Sequence, residues 1–206
     1  MFEPIRFYFD FVSTYSYFAL ERFAAIAETH GREIDWRIVS LPHVLKANDM
    51  TPPPQQPRKF AHNQQDIARL AAMLDVRYTV PKVRPLDAAL ARLVFYRVRA
   101  RDPAVAFQFA LAVMRRYFGD GEEVRTLEQI APLVAHLGVD ADEIATARGD
   151  PGAREALHGM LDLALADGMF GAPYACVDGQ RFWGQDRVTE HLDWHLGRGR
   201  SQPTNL

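Results

Sequence analysis

Two serines spaced S-x-x-S, Ser13 and Ser16, stand where the aromatic run Phe7-Tyr8-Phe9-Asp10-Phe11-Val12 gives way to a long helical pattern. Cysteines at this spacing on a strand-to-helix turn make a redox pair, whereas serines cannot form a disulfide. A hydroxyl at a helix N-terminus caps the helix, worth about 1 kcal/mol. It also donates to an anion drawn there by roughly half a positive charge of helix dipole. A lone serine in such a place is ordinarily only a cap. Here the turn follows an apolar strand, and ligands of open α/β sheets bind beyond the strand C-termini, so Ser13 is read as the donor to a bound thiolate. The one cysteine, Cys176, lies mid-strand between apolar neighbours and reads as a buried, inert thiol. The reactive sulfur must then come from a small molecule, and glutathione is the obvious candidate.

Three further segments carry groups that such a ligand needs. The proline of Gly171-Ala172-Pro173-Tyr174 is either an edge device or a cis proline, which costs only about 0.5–1 kcal/mol at an X-Pro bond. The cis form is expected, because it aims the Ala172 backbone into the cleft beside Ser13. A cysteinyl backbone can pair there as an added strand does. In Phe182-Trp183-Gly184-Gln185-Asp186-Arg187, Asp186 is either a plain N-cap or, with Gln185 and helix amides, a receptor for an amino-acid end. Arg58 and Lys59 are either a solvated basic edge or partners of a ligand carboxylate. His191 and His195 share a helix face but read as ordinary surface, and no metal is expected.

The elements that must position these groups follow from periodicity. Ile5 to Phe11 reads as a buried strand, Tyr15 to His30 as a helix closed by Gly31, and Ile34 to Val39 as a strand with Ile34, Trp36 and Ile38 on its apolar face. A loop with four prolines runs from Asn48 to Pro57, and helices are expected over 63–74, 86–100, 104–118, 126–138, 140–147 and 151–168. Asp102-Pro103 and Asp150-Pro151 open two of them, and Thr126 to Gln129 is a capping box. Tyr174 to Val177 and Gln180 to Trp183 flank Asp178-Gly179, a strong hairpin signal, and a last helix covers 186–196. The fold class is α/β: a thioredoxin-like domain (1–42 and 151–200) interrupted by a large all-helical insertion (43–150), with a frayed tail at 201–206. The chain has 206 residues, 48% hydrophobic, with a net charge of −2, ample for a core. That charge argues against a general grip on nucleic acid or anionic membrane. The N-terminus lacks a basic signal-peptide region and a single cysteine permits no intrachain disulfide, so a cytoplasmic protein is expected.

Tyr8-Phe9-Asp10-Phe11-Val12-Ser13-Thr14-Tyr15-Ser16-Tyr17, then Phe170-Gly171-Ala172-Pro173, then Phe182 to Arg187, resemble in order the hallmarks of the 2-hydroxychromene-2-carboxylate isomerases. That family opens F-D-F-x-S-P-Y-S-Y and stands with the kappa-class glutathione transferases in a DsbA-like thioredoxin-fold superfamily. The resemblance implies that Ser13 holds the glutathione sulfur as thiolate and that Ala172, before Pro173, pairs with the cysteinyl backbone. It implies that Gln185 and Asp186 hold the γ-glutamyl end, and that Asn48, Lys59 and Asp66 line the glutathione and substrate pocket. The implied reaction interconverts 2-hydroxychromene-2-carboxylate and trans-o-hydroxybenzylidenepyruvate by reversible thiolate addition to a small aromatic carboxylate; a homodimer is left open. Thr14 replaces the family's proline, Asp87 stands in place of an asparagine where its charge could repel an anionic substrate, and Asp49-Met50 are extra. A kappa-type transferase and a non-catalytic peptide-binding thioredoxin fold are the alternatives.

Overall fold

The computed structural model describes residues 2–198, and the expected tail at 201–206 lies outside them. Alternation in β1 (Ile5–Phe9) splits its side chains between two environments. Phe7 and Phe9 meet aromatic rings, whereas Arg6 and Tyr8 reach the carboxylate of Asp167 at 2.7 and 2.6 Å. β2 (Ile34–Ile38) runs parallel to β1 with Trp36 opposite Phe7, and α1 (Thr14–Thr29) is the crossover that a parallel pair requires. β3 (Tyr174–Val177) and β4 (Gln180–Trp183) form a hairpin whose turn residues, Asp178 and Gly179, both have positive φ, as a type I′ turn demands. β3 pairs antiparallel with β1, so the sheet order is β2-β1-β3-β4. This is the thioredoxin-like sheet that the sequence implies.

Everything regular between β2 and β3 is helical: α2 (Leu41–Ala47), α3 (Pro57–Met73), α4 (Ala89–Arg101), α5 (Pro103–Met114), α6 (Leu127–Val134), α7 (Ala141–Thr146) and α8 (Pro151–Ala166), with short 3₁₀ and π turns between them. The Asp102 and Asp150 side chains cap α5 and α8, and the Thr126–Gln129 capping box opens α6. Several elements differ from expectation, and α4 begins at Ala89 rather than 86. α2 is an addition: Ser40 caps nothing with its side chain, and the Leu41 amide donates instead to Asp10 at 2.7 Å. α3 starts at Pro57 rather than 63, because a proline at the first helical position gives up an amide that has no partner there anyway. The last helix begins as a π turn over 187–191 before α9 (Leu192–Gly197).

The helical block shares one core with the sheet. Phe7 lies 4.2 Å from Phe23 of α1, Trp36 stacks on Phe107 of α5 at 4.2 Å, Phe95 meets Phe9 at 5.9 Å and Phe109 meets Phe11 at 6.2 Å. Such pairs add about 0.5–1.5 kcal/mol each beyond area burial. Their consequence for the site is positional: α1 and the helical block together hold the end of β1 and the turn after it. Across the sheet, burial opposes ionisation of Asp167, but hydrogen bonds from Arg6 and Tyr8 win and hold its carboxyl below the usual range. Among the described residues no helix is long and apolar enough to cross a membrane.

Candidate functional site

Ser13 is the N-cap of α1, in extended backbone conformation and 6% exposed. Its Oγ accepts from the Ser16 amide at 3.2 Å and donates to the Ala172 carbonyl at 3.1 Å. The hydroxyl therefore caps the helix and joins it to the segment before β3. The one hydrogen expected to face a sulfur is directed at Ala172. Ser16 Oγ is fully buried and has no hydrogen-bond partner among the described residues.

The Ala172–Pro173 bond is cis, as expected. The Pro173 carbonyl accepts from the Gly184 amide at 3.1 Å, which continues the β3–β4 pairing into the loop carrying Gln185 and Asp186. Gly184 sits at φ +97°, a region that side chains avoid. Gly171 has a different constraint: a Cβ there would stand 2.5 Å from the indole Nε1 of Trp183, so the residue must be glycine for that ring to close over the loop. Trp183 also packs on Phe170 at 4.7 Å.

Gln185 is 9% exposed and turns inward, its Oε1 accepting from Arg22 of α1 at 3.2 Å. Half of its carboxamide is thus committed to anchoring the loop. Asp186 is not the side-chain cap that its position suggests; its carboxylate pairs with the adjacent Arg187 and stays partly exposed.

Asn48 closes α2 and donates to Val44 at 2.9 Å and to the Met169 carbonyl at 3.2 Å. It ties α2 to the segment leading into Gly171. Asp66 on α3 accepts from the Tyr15 hydroxyl at 2.9 Å and pairs with Arg69 at 3.2 Å. Tyr15 is two residues past Ser13, so Asp66 docks α3 against the first turn of α1. Burial, then the Asp66 carboxylate, push the Tyr15 hydroxyl well above its usual range, keeping it protonated. Lys59, seven residues before Asp66 and so on the same helix face, is exposed and makes no ion pair among the described residues. Arg58 is exposed too. Asp87 is also exposed, and its Oδ1 accepts from the Ala89 amide at 3.1 Å at the start of α4. An asparagine would make the same bond, so this departure is a helix-start device.

Hydrogen bonds therefore link Ser13 to Ala172, Pro173 to the Gln185–Asp186 loop, Asn48 to the same approach segment and Asp66 to the α1 turn. Among the described residues no three metal-ligating side chains cluster. Cys176 is 4% exposed, and burial pushes its thiol up, which fits an inert side chain.

Sequence reasoning missed a buried ion pair beneath the turn. Asp10, fully buried, takes two hydrogen bonds of 2.8 Å from Arg92 of α4 as well as the Leu41 amide, and its own carbonyl accepts from the Ser13 amide at 3.0 Å. A signal existed: a carboxylate inside F-Y-F-D-F-V and a guanidinium inside A-L-A-R-L-V-F are each surrounded by apolar residues, and buried charges need partners.

The DSBA-like thioredoxin domain family matches residues 4–193. A 2-hydroxychromene-2-carboxylate isomerase of Sphingobium xenophagum is 30% identical over 190 residues, 91% of this chain and 95% of that protein. Glutathione S-transferase kappa 2 of Caenorhabditis elegans is 23% identical, covering 93% of this chain and 91% of its own. A solved 2-hydroxychromene-2-carboxylate isomerase structure superposes with a TM-score of 0.83 at 25% identity, with 95% of each chain covered.

Proposed function

The chain belongs to the DSBA-like thioredoxin domain family and, within it, to the 2-hydroxychromene-2-carboxylate isomerase family, and we propose that it is a glutathione-dependent isomerase. Its substrate pair is 2-hydroxychromene-2-carboxylate and trans-o-hydroxybenzylidenepyruvate, or a related intermediate of aromatic degradation. The observation that carries the reading is the Ser13 hydroxyl at the N-terminus of α1, 3.1 Å from the Ala172 carbonyl. A neutral bond of that kind contributes about 0.5–1.5 kcal/mol, whereas a hydrogen bond to a charged group contributes about 1.5–3. Turning from Ala172 to a thiolate is thus downhill for the hydroxyl.

Glutathione, when bound, supplies the nucleophilic sulfur for reversible addition to the substrate. The chain's own residues do the rest. Ser13 and the α1 dipole favour the thiolate. The Ala172 backbone, set by Pro173, pairs with the cysteinyl unit as an extra strand. Asp186, partly exposed, exchanges Arg187 for the γ-glutamyl ammonium, and Gln185 braces the loop that presents it. Lys59 attracts a carboxylate of glutathione or substrate, while Asn48 and Asp66 hold the flanking helices in place. The reading treats 1–42 and 151–200 as the thioredoxin-like unit around the 43–150 insertion and sets the protein in the reducing cytoplasm.

The test is ultraviolet monitoring of 2-hydroxychromene-2-carboxylate with the protein, with and without glutathione. Ring-opened product formed only with glutathione is the expected result. Conjugation of chlorodinitrobenzene without isomerisation would favour a kappa-type transferase, the second reading that the kappa relative supports. Glutathione binding without either reaction would leave a binding protein.

A further inference from the structure

Asp10 is a fully buried carboxylate placed three residues before Ser13, under the helix terminus proposed to hold a thiolate. A buried negative charge there opposes any anion above it. Arg92 meets both carboxylate oxygens at 2.8 Å and is itself almost wholly buried. The Leu41 amide takes up Oδ2 as well, at 2.7 Å, and the Asp10 carbonyl holds the Ser13 amide at 3.0 Å. One residue thus ties together the end of β1, the Ser13 turn, the start of α2 and, through Arg92, the helical block.

We propose that Asp10 and Arg92 are positioning residues for Ser13: Asp10 fixes the turn that presents the hydroxyl, and Arg92 cancels the charge that this fixing would otherwise set beneath the anion site. The inference rests on the reading of Ser13 as the holder of a glutathione thiolate. The other charged groups around the turn are already matched or distant in the hydrogen-bond network. Asp66 is balanced by Arg69, Asp186 by Arg187 and Glu190 by Arg22, while Lys59 makes no ion pair among the described residues. The Asp10–Arg92 pair is the one whose halves can be removed separately beneath Ser13.

Removing each half moves the thiolate in opposite directions. Arg92→Gln leaves the carboxylate uncompensated and makes bound glutathione less acidic. Asp10→Asn keeps an acceptor for Leu41 but leaves the guanidinium, making bound glutathione more acidic. One charge at roughly 10 Å in an effective dielectric near 20 shifts an ionisation by about one pH unit. The double variant Asp10→Asn/Arg92→Gln is neutral, retains hydrogen-bonding groups and returns the value to that of the unaltered protein. It also serves if Arg92→Gln alone fails to fold, since Asp10→Asn and the double variant then carry the comparison.

The measurement is ultraviolet titration of the thiolate in protein saturated with glutathione, with calorimetry to establish binding and circular dichroism to confirm folding. Opposite shifts cancelling in the double variant are the expected result. If the unaltered protein binds no glutathione thiolate, the functional reading falls and this inference with it. If it binds, and the single variants leave the titration unchanged or move it the same way, the reading stands and the inference is overturned, Asp10 and Arg92 being then a purely structural clamp.

Discussion

Replacing Ser13 separates its two roles, because they respond to different substitutions. In Ser13→Ala the helix loses a cap worth about 1 kcal/mol and the tie to Ala172, worth about 0.5–1.5 more, so stability should fall by about 1.5–2.5 kcal/mol. In a chain of this size 1 kcal/mol moves the melting temperature by about 2–4 °C, giving a drop of about 3–10 °C. Ser13→Gly forfeits only a few tenths of the capping energy, so its drop should be smaller, about that of the Ala172 bond alone. For the bound thiolate, however, the two variants are equivalent, since both lack the hydroxyl. Losing a hydrogen bond to a charged group, about 1.5–3 kcal/mol, should make bound glutathione less acidic in each, raising its thiol pKa by about one to two units. Turnover should fall by about 10²–10³, the cost of removing one preorganised donor to a reacting anion. Calorimetric melting and ultraviolet thiolate titration of both variants make the assay. Unequal melting with unchanged thiolate titration would refute the reasoning and leave Ser13 as a helix cap and tether.

Gly171→Ala would set its new Cβ 2.5 Å from Trp183 Nε1 and should force that ring away, seen as a change in tryptophan emission together with weaker glutathione binding; unaltered emission would show that the loop gives way instead. Asp167 ionises more readily when folded, so its contribution is present above the unfolded value of about 4 and vanishes as pH falls through the lower folded value. Asp167→Asn should therefore be less stable than the parent at neutral pH, with the gap in denaturant midpoints closing below about pH 4; a gap constant down to pH 3 contradicts this. Cys176, buried and with its thiol pushed up, should react with dithionitrobenzoate only on unfolding, and rapid reaction of the native protein would show that β3 opens.

The fold was legible where the signal is local. An aromatic, branched run gave β1 and period-two alternation gave β2, each to within two residues, Asp178-Gly179 fixed the hairpin, and the Asp-Pro pairs marked α5 and α8. α2 was not legible, because it has seven residues, carries Pro42 in its first turn, and its first amide donates to Asp10, 31 residues upstream. The π turn at 187–191 is similarly hidden, since a helical periodicity does not disclose one extra residue in a turn.

The candidate site divides along the same line, and its carboxylates show why. Asp87, Asp186 and Asp10 are one residue type in three environments. Asp87 is exposed and serves Ala89, so its charge is screened by solvent. The concern that it repels an anionic substrate comes from residue identity alone and loses force once burial is known. Asp186 is partly exposed beside Arg187, a pairing weak enough to be exchanged for a ligand ammonium. Asp10 is out of water and would dominate the field at Ser13 but for Arg92, which lies 82 residues away in sequence. Sequence spacing can nominate an anion-holding turn; whether the turn favours the anion depends on solvent access and on partners brought in by the helical block. On that proposal the helical block does more than cover the sheet: through Arg92 it completes the electrostatics of the turn that follows β1.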